Sequence, residues 1–370
     1  DYMIDFDSVQ ARRWYRRYDA GAIDAAEVAK RRNRSSYDDN QTQHAIRFLL
    51  EYCHLVGKDA GAQDKAICAA RDVALAKLVE AQYPNGAWPQ SWDGRPRASA
   101  GAAPARARSP ATAPAEYPKK DYRDYYTFND DSHRDMVLVL LEAHRLTGRV
   151  DYLKAALRGG DFIVAAQLPE PQPAWAQQYN ADFEPDWARI FEPPAVATRE
   201  SIGVMRTLID LYRYTDDAQW LAPIPPAMAW LERSALSKDR WARFYELRSN
   251  QPIYGDVDGK IHRQLENISD ERSKGYAWQG SYGYTTLARL WREIQDGAPK
   301  PKPLSAARRA QQAEKRRPKV EQIIAAQDDR GRWIVPGSVI GAPPTPEGVL
   351  DMGVFADNLR ALAEYVELVQ

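Results

Sequence analysis

Apolar positions recur along this chain with the spacing of amphipathic helices. Ile46, Leu49, Leu50, Cys53 and Val56 fall on one face at i, i+3, i+4, i+7 and i+10. Gly57 follows them as a left-handed stop. Ile67, Val73, Ala74, Leu78 and Gln82 predict a partner helix, with Val73 the least regular member. A second pair runs from Met136 to Leu146, closed by Gly148, and from Tyr152 to Gln167. A third runs from Ile202 to Tyr214 and from Pro226 to Leu236. Long alternating β-branched stretches are nearly absent, so the expected class is all-α.

The helices come as repeats. Leu49-Leu50-Glu51 with Gly57 matches Leu140-Leu141-Glu142 with Gly148 at one constant offset. The partner helices end alike, as Ala81-Gln82-Tyr83-Pro84 and Ala166-Gln167-Leu168-Pro169, and each leads into a tryptophan loop, Trp88-Pro89-Gln90 and Trp175-Ala176-Gln177. In the third copy Thr215-Asp216 stands where the glycine stood. One hairpin cannot bury its apolar face alone, so successive copies must pack together. The expected architecture is an (α/α) toroid of about three helical hairpins, with long loops forming a cleft on one face. A single domain over residues 1–370 is expected. It carries an Ala/Pro/Arg-rich insertion at 95–118 and a basic, linker-like segment at 297–319.

Composition narrows the function. Lys+Arg and Asp+Glu balance at 51 each over 370 residues, which gives no global attraction for nucleic acid or an anionic membrane. No apolar run is long enough for a membrane-spanning helix. Two cysteines cannot build a disulfide scaffold or a cysteine zinc site; Cys53 and Cys68 are expected as buried thiols, with pairing across a hairpin as the alternative. The 11 Trp and 20 Tyr, several of them in polar loops, suit sugar faces as well as a wide helical core.

Two polar clusters stand at helix entrances, Asp38-Asp39-Asn40-Gln41-Thr42 and Thr127-Phe128-Asn129-Asp130-Asp131-Ser132. Each reads equally as a helix N-cap or as a source of hard carboxylate oxygens for calcium. Arginines recur at Trp187-Ala188-Arg189 and Glu271-Arg272. Guanidinium forks pair with carboxylates, so these read as a uronate track or as ordinary surface ion pairs.

Taken together, these segments resemble the family 10 polysaccharide lyases over roughly residues 35–285. Asp39-Asn40 with Thr42 resembles that family's Asp-Asn-x-Ala-Thr entrance. Residues Gln82 through Gln90 are similar to its Gln-Tyr-Pro-Asn-Gly-Gly-Trp-Pro-Gln signature. Phe128-Asn129-Asp130-Asp131, Trp187-Ala188-Arg189, Glu192-Pro193-Pro194, Glu200-Ser201 and Glu271-Arg272 with Gly275-Tyr276 and Trp278 follow in family order. The resemblance implies a calcium-dependent pectate lyase that cleaves polygalacturonate by β-elimination. It implies Arg189 as the base, Asp39, Asp130 and Asp131 as calcium ligands, and Arg272, Lys274, Tyr276, Trp88 and Asn129 as substrate contacts.

The chain departs from the family pattern in places. Where the family has a Gly-Gly-Trp-Pro-Lys-Asn segment, only Arg12-Arg13-Trp14-Tyr15-Arg16-Arg17 is found; Ala195 stands for a serine and Ala87 for a glycine. The chain begins Asp1-Tyr2 without an initiator Met, so a secreted or periplasmic product with its signal removed is expected, acting as a monomer. Two alternatives stand beside the lyase: a glycoside hydrolase on another (α/α) toroid, and a non-catalytic uronate-binding protein.

Overall fold

The computed structural model describes residues 35–57, 60–92, 94, 106–297, 304–337 and 348–369. Residues 12–17, 95–105 and 298–303, on which some expectations fall, lie outside this set. Contacts divide the chain into two compact units, residues 32–298 and residues 1–31 with 299–370, where the sequence suggests one.

The three expected hairpins are all in the first unit. They are α1 (Gln41–Val56) with α2 (Ala62–Glu80), α3 (Ser132–Thr147) with α4 (Val150–Ala166), and α5 (Thr198–Thr215) with α6 (Ile224–Ser234). Within each hairpin the first helix stops on a left-handed residue: Gly57 at φ 59°, Gly148 at φ 71° and Asp216 at φ 63°. The first helices of successive hairpins pack side by side, α1 on α3 and α3 on α5. The result is the toroid-type arrangement read from the repeats. Helix α7 (Asp270–Gly275) is one short turn, and α8 (Tyr284–Gln295) packs back on α5.

Tryptophans join the repeats. The Trp88 indole N–H donates to Leu78 O at 2.9 Å, Trp175 to Ile163 O at 2.8 Å and Trp241 to Leu231 O at 2.7 Å. Each accepting carbonyl lies in the last turn of a helix, where the chain provides no N–H for it. The indole thus caps the helix while its rings fill the core. Gly159 makes room for one of them, since a Cβ there would meet Trp88 at 2.9 Å.

The strands are too short for periodicity to reveal. Among the described residues three antiparallel pairs form: β1 (Ser35–Ser36) with β2 (Ser91–Trp92), β3 (Tyr126–Thr127) with β4 (Gln178–Tyr179), and, from later in the chain, Trp241–Ala242 with Gln279–Gly280. A four-stranded antiparallel sheet runs β5 (Ala195–Ala197), then Phe244–Glu246, Pro252–Gly255 and Ile261–His262. It carries its own small core of Phe191, Phe244, Ile253, Tyr254 and Trp278.

Several expectations need correction. Cys53 and Cys68 form a disulfide rather than remaining thiols, because the α1–α2 hairpin brings their Cα atoms to 5.6 Å. Residues 106–118 are not a loose linker: Arg108 pairs with Glu184 at 2.8 Å, and the Trp187 indole donates to Pro114 O at 2.9 Å. In the second unit, the supposed linker 297–319 is helical from Ala306, in α9 (Ala306–Ala325), which packs with α10 (Met352–Val369). There Trp333 caps α9 through Ile323 O at 2.7 Å, repeating the motif of the hairpins.

Candidate active site

The entrances of α1 and α3 share one unusual backbone. Asp39 and Asn40 have φ of 50° and 57°, and Asp130 and Asp131 have 47° and 60°. Two consecutive left-handed residues are costly for most side chains and least so for Asp and Asn, which accounts for the residue types. Neither Asn40 nor Asp131 makes a side-chain cap hydrogen bond, so the N-cap reading fails for both. The kink instead turns other carboxylates together: oxygens of Asp38, Asp39 and Asp130 lie within 4.8 Å of one another.

Asp131, expected in this group, points elsewhere. The kink directs it toward α5, where a Cβ on Gly203 would lie 2.2 Å from its Oδ1. Its charge, after burial, raises the carboxyl of Asp135 to about 6. Asp38 takes the third place in the cluster. Two amides hold it, Gln90 Nε2 at 2.7 Å and Asn129 Nδ2 at 3.0 Å. Burial raises its pKa, the Gln90 hydrogen bond opposes this, and Asp130 and Asp39 raise it further. A positive counter-charge is therefore favoured here. Part of it comes from Arg199, which forms an ion pair with Asp130. Three hard oxygen donors also fit a divalent ion of the calcium class.

Two expected substrate contacts change role. Asn129 is buried, donating to Asp38 and accepting from Gln177 Nε2 at 2.9 Å, so it positions a carboxylate. Trp88 is 1% exposed and its indole N–H is spent on α2, so no sugar reaches it.

Arg189 lies in a tight turn with Glu192, whose N–H donates to Arg189 O at 2.8 Å. The Glu192 carboxylate accepts from Arg189 Nε at 2.8 Å and Nη2 at 2.5 Å, and from the Tyr276 hydroxyl at 2.9 Å. Burial alone would depress Arg189, but the Glu192 hydrogen bonds and charge outweigh it and raise the pKa. Burial would raise Glu192, and the same pairing holds it low. Asn129 and Gln177 bridge base candidate and acid cluster: Asn129 hydrogen-bonds Asp38 and Gln177, and Gln177 hydrogen-bonds Glu192, the partner of Arg189.

Further cations gather on the aromatic wall. Arg189 and Arg272 lie 5.0 and 4.0 Å from the Phe191 ring, and Arg243 lies 4.6 Å from that of Tyr276. Arg243 is buried and pairs with buried Glu200 at 2.7 Å. Lys274 is largely exposed and pairs with Asp270 at 2.8 Å, as a surface lysine does. Sequence reasoning missed roles for Asp38, Glu192, Arg199 and Arg243. Arg243 had a signal: Trp241-Ala242-Arg243 with Tyr245 repeats Trp175-Ala176-Gln177 with Tyr179, so Arg243 takes the place of Gln177. Phe128 N donates to Gln177 O at 2.8 Å, and Thr198 N to Arg243 O at 2.9 Å.

The sequence profile of the family described as pectic acid lyase matches residues 9–240 and 235–287. Among solved structures, the Family 10 polysaccharide lyase from Cellvibrio cellulosa is similar at 24% identity and a TM-score of 0.55, over 70% of this chain and 81% of that one. A mutant of Family 10 polysaccharide lyase from the same organism, in complex with trigalacturonic acid, is similar at 23% identity and a TM-score of 0.55, over 70% and 82%. Likeness at this identity carries the fold. No curated protein matches by sequence.

Proposed function

The chain belongs to the pectic acid lyase family and is a polysaccharide lyase, and from that premise we propose that it cleaves de-esterified homogalacturonan by β-elimination with Arg189 as the base. The observation that supports this reading is the hydrogen-bonded chain between the two groups: Asn129 joins Asp38 to Gln177, and Gln177 and Arg189 both hydrogen-bond Glu192. The trigalacturonic acid held by the similar mutant lyase supplies the substrate class.

In this reading Arg189 removes the C5 proton of a galacturonate. The electron pair forms the C4–C5 double bond, and the C4–O4 bond breaks with the leaving sugar oxygen taking up a proton from solvent water. Negative charge grows on the C5 carboxylate during proton removal, so Arg272 is best used there. A calcium-type ion on Asp38, Asp39 and Asp130 would add positive charge for the same carboxylate. Glu192 keeps Arg189 protonated at neutral pH, so the neutral fraction, and with it the rate, should climb into the alkaline range.

The Cys53–Cys68 disulfide fits an oxidising compartment and supports secretion. Among the described residues no helix is long and apolar enough to cross a membrane. The test is incubation with polygalacturonate, with and without a chelator. Ultraviolet absorbance from unsaturated ends that stops on chelation supports the proposal. New reducing ends without that absorbance would point to a hydrolase instead.

A further inference from the structure

Outside the motifs that carry the family resemblance, Tyr117 and residues 119–123 line an open cavity of about 400 Å³. That is within the usual size of a small-molecule site, about 300–1,000 Å³. Its walls include Tyr117, Lys119, Lys120 and Tyr122. Tyr122 lies within electrostatic reach of that site, since the charges of Glu192, Arg189 and Asp38 all act on its hydroxyl.

The loop is moored to the segment that carries Arg189. The Tyr125 hydroxyl donates to Asp186 Oδ2 at 2.9 Å, Lys120 Nζ lies 3.7 Å from the same oxygen, and the Tyr117 ring meets Trp187 edge-on at 5.8 Å. Tyr117 N donates to Gly259 O at 2.8 Å, which ties its other side. Within the loop Arg123 and Asp121 neutralise each other through a two-pronged pair at 2.9 and 2.7 Å. Of its two lysines, Lys120 is shared with Asp186 across a long 3.7 Å and Lys119 is left facing solvent. Lys119 is held at φ 57°, a conformation that lysine rarely adopts, and makes no ion pair among the described residues.

We infer that this loop forms an additional uronate subsite, in which Lys119 and Lys120 receive the carboxylate of a galacturonate flanking the one that is cleaved, and Tyr117 or Tyr122 lies against its ring. A tyrosine face beside two ammonium groups matches the two halves of a uronate, one apolar sugar face and one anion. The inference rests on the pectate lyase reading and extends it. It implies that affinity grows with chain length once the polymer reaches the loop.

The experiment is calorimetric titration with trimeric and hexameric oligogalacturonate, with the ratio of the two affinities as the readout. The wild type should prefer the hexamer. In Lys119→Ala/Lys120→Ala that preference should shrink about three- to tenfold, as two exposed charge contacts would give. In Lys119→Arg/Lys120→Arg it should persist. Both lysines are exposed and the Lys120–Asp186 contact is long at 3.7 Å, so thermal melting should shift by no more than the small worth of a surface ion pair. An undiminished hexamer preference in the alanine pair overturns the subsite while leaving the lyase reading intact. A wild type that binds neither oligomer overturns both.

Discussion

The carboxylate of Glu192 holds the guanidinium of Arg189 by two prongs, 2.8 Å to Nε and 2.5 Å to Nη2. This contact sets the pH at which the proposed base becomes neutral. The negative charge of Glu192 favours the protonated guanidinium and raises its pKa against the opposing effect of burial. In Glu192→Gln that support is gone, so Arg189 should lose its proton at lower pH. The rising limb of the pH–rate profile should then move down by about one pH unit or more. A limb that stays in place would separate Glu192 from the titrating group.

The acid cluster depends on amides that hold it. Gln90 and Asn129 fix the two oxygens of Asp38. Gln90→Ala or Asn129→Ala should weaken calcium binding, measured by titration in the absence of substrate, about 10- to 100-fold. Asp39→Asn should weaken it as well. Asp131→Asn should change it far less, because Asp131 faces α5. Equal losses for Asp131 and Asp39 would return Asp131 to the ligand set.

Trp88→Phe removes an indole N–H and leaves Leu78 O at the end of α2 without its partner. The cost should be about 1–3 kcal/mol of stability in denaturant unfolding. The KM for polygalacturonate should stay the same, since the ring is buried. A raised KM with unchanged stability would restore a sugar-binding role.

His133 is fully buried among Trp88, Phe128 and Phe162, with one ring nitrogen 3.0 Å from Gly159 O. Burial pushes its pKa down from 6.5 to about 4. The unfolded chain takes up the proton first, so this contribution is complete above pH 6.5 and is lost as pH falls toward 4. The full difference is worth about 3 kcal/mol. Thermal midpoints of the wild type should fall through that window, and those of His133→Asn should fall less. Parallel curves would remove His133 from the acid response.

The hairpins were legible because a helix that packs on one side must repeat its apolar face, and Ile46, Leu50 and Cys53 are indeed the buried side of α1. Positions set by backbone direction were not. Asp130 and Asp131 are neighbours of one type, and only the paired left-handed turn sends one to the cluster and the other to Gly203. Trp88 read as a sugar platform because its loop is polar; the carbonyl it caps lies ten residues back along the chain. Glu192 stood in a quoted motif without a role, since a carboxylate three residues from an arginine becomes its partner only when the chain turns between them. The strands beside Pro193-Pro194 span two to four residues, too few for an alternating pattern to register.

The account is tested most directly by the initial rate of unsaturated product formation from polygalacturonate in Arg189→Ala, at alkaline pH with calcium present. The side chain is about one third exposed, at 37%, so the variant should fold, and circular dichroism should match the wild type. Its turnover should fall by at least about a hundredfold, as expected for loss of a general base. A folded variant that keeps near wild-type absorbance growth would place the proton transfer on another group and contradict the mechanism.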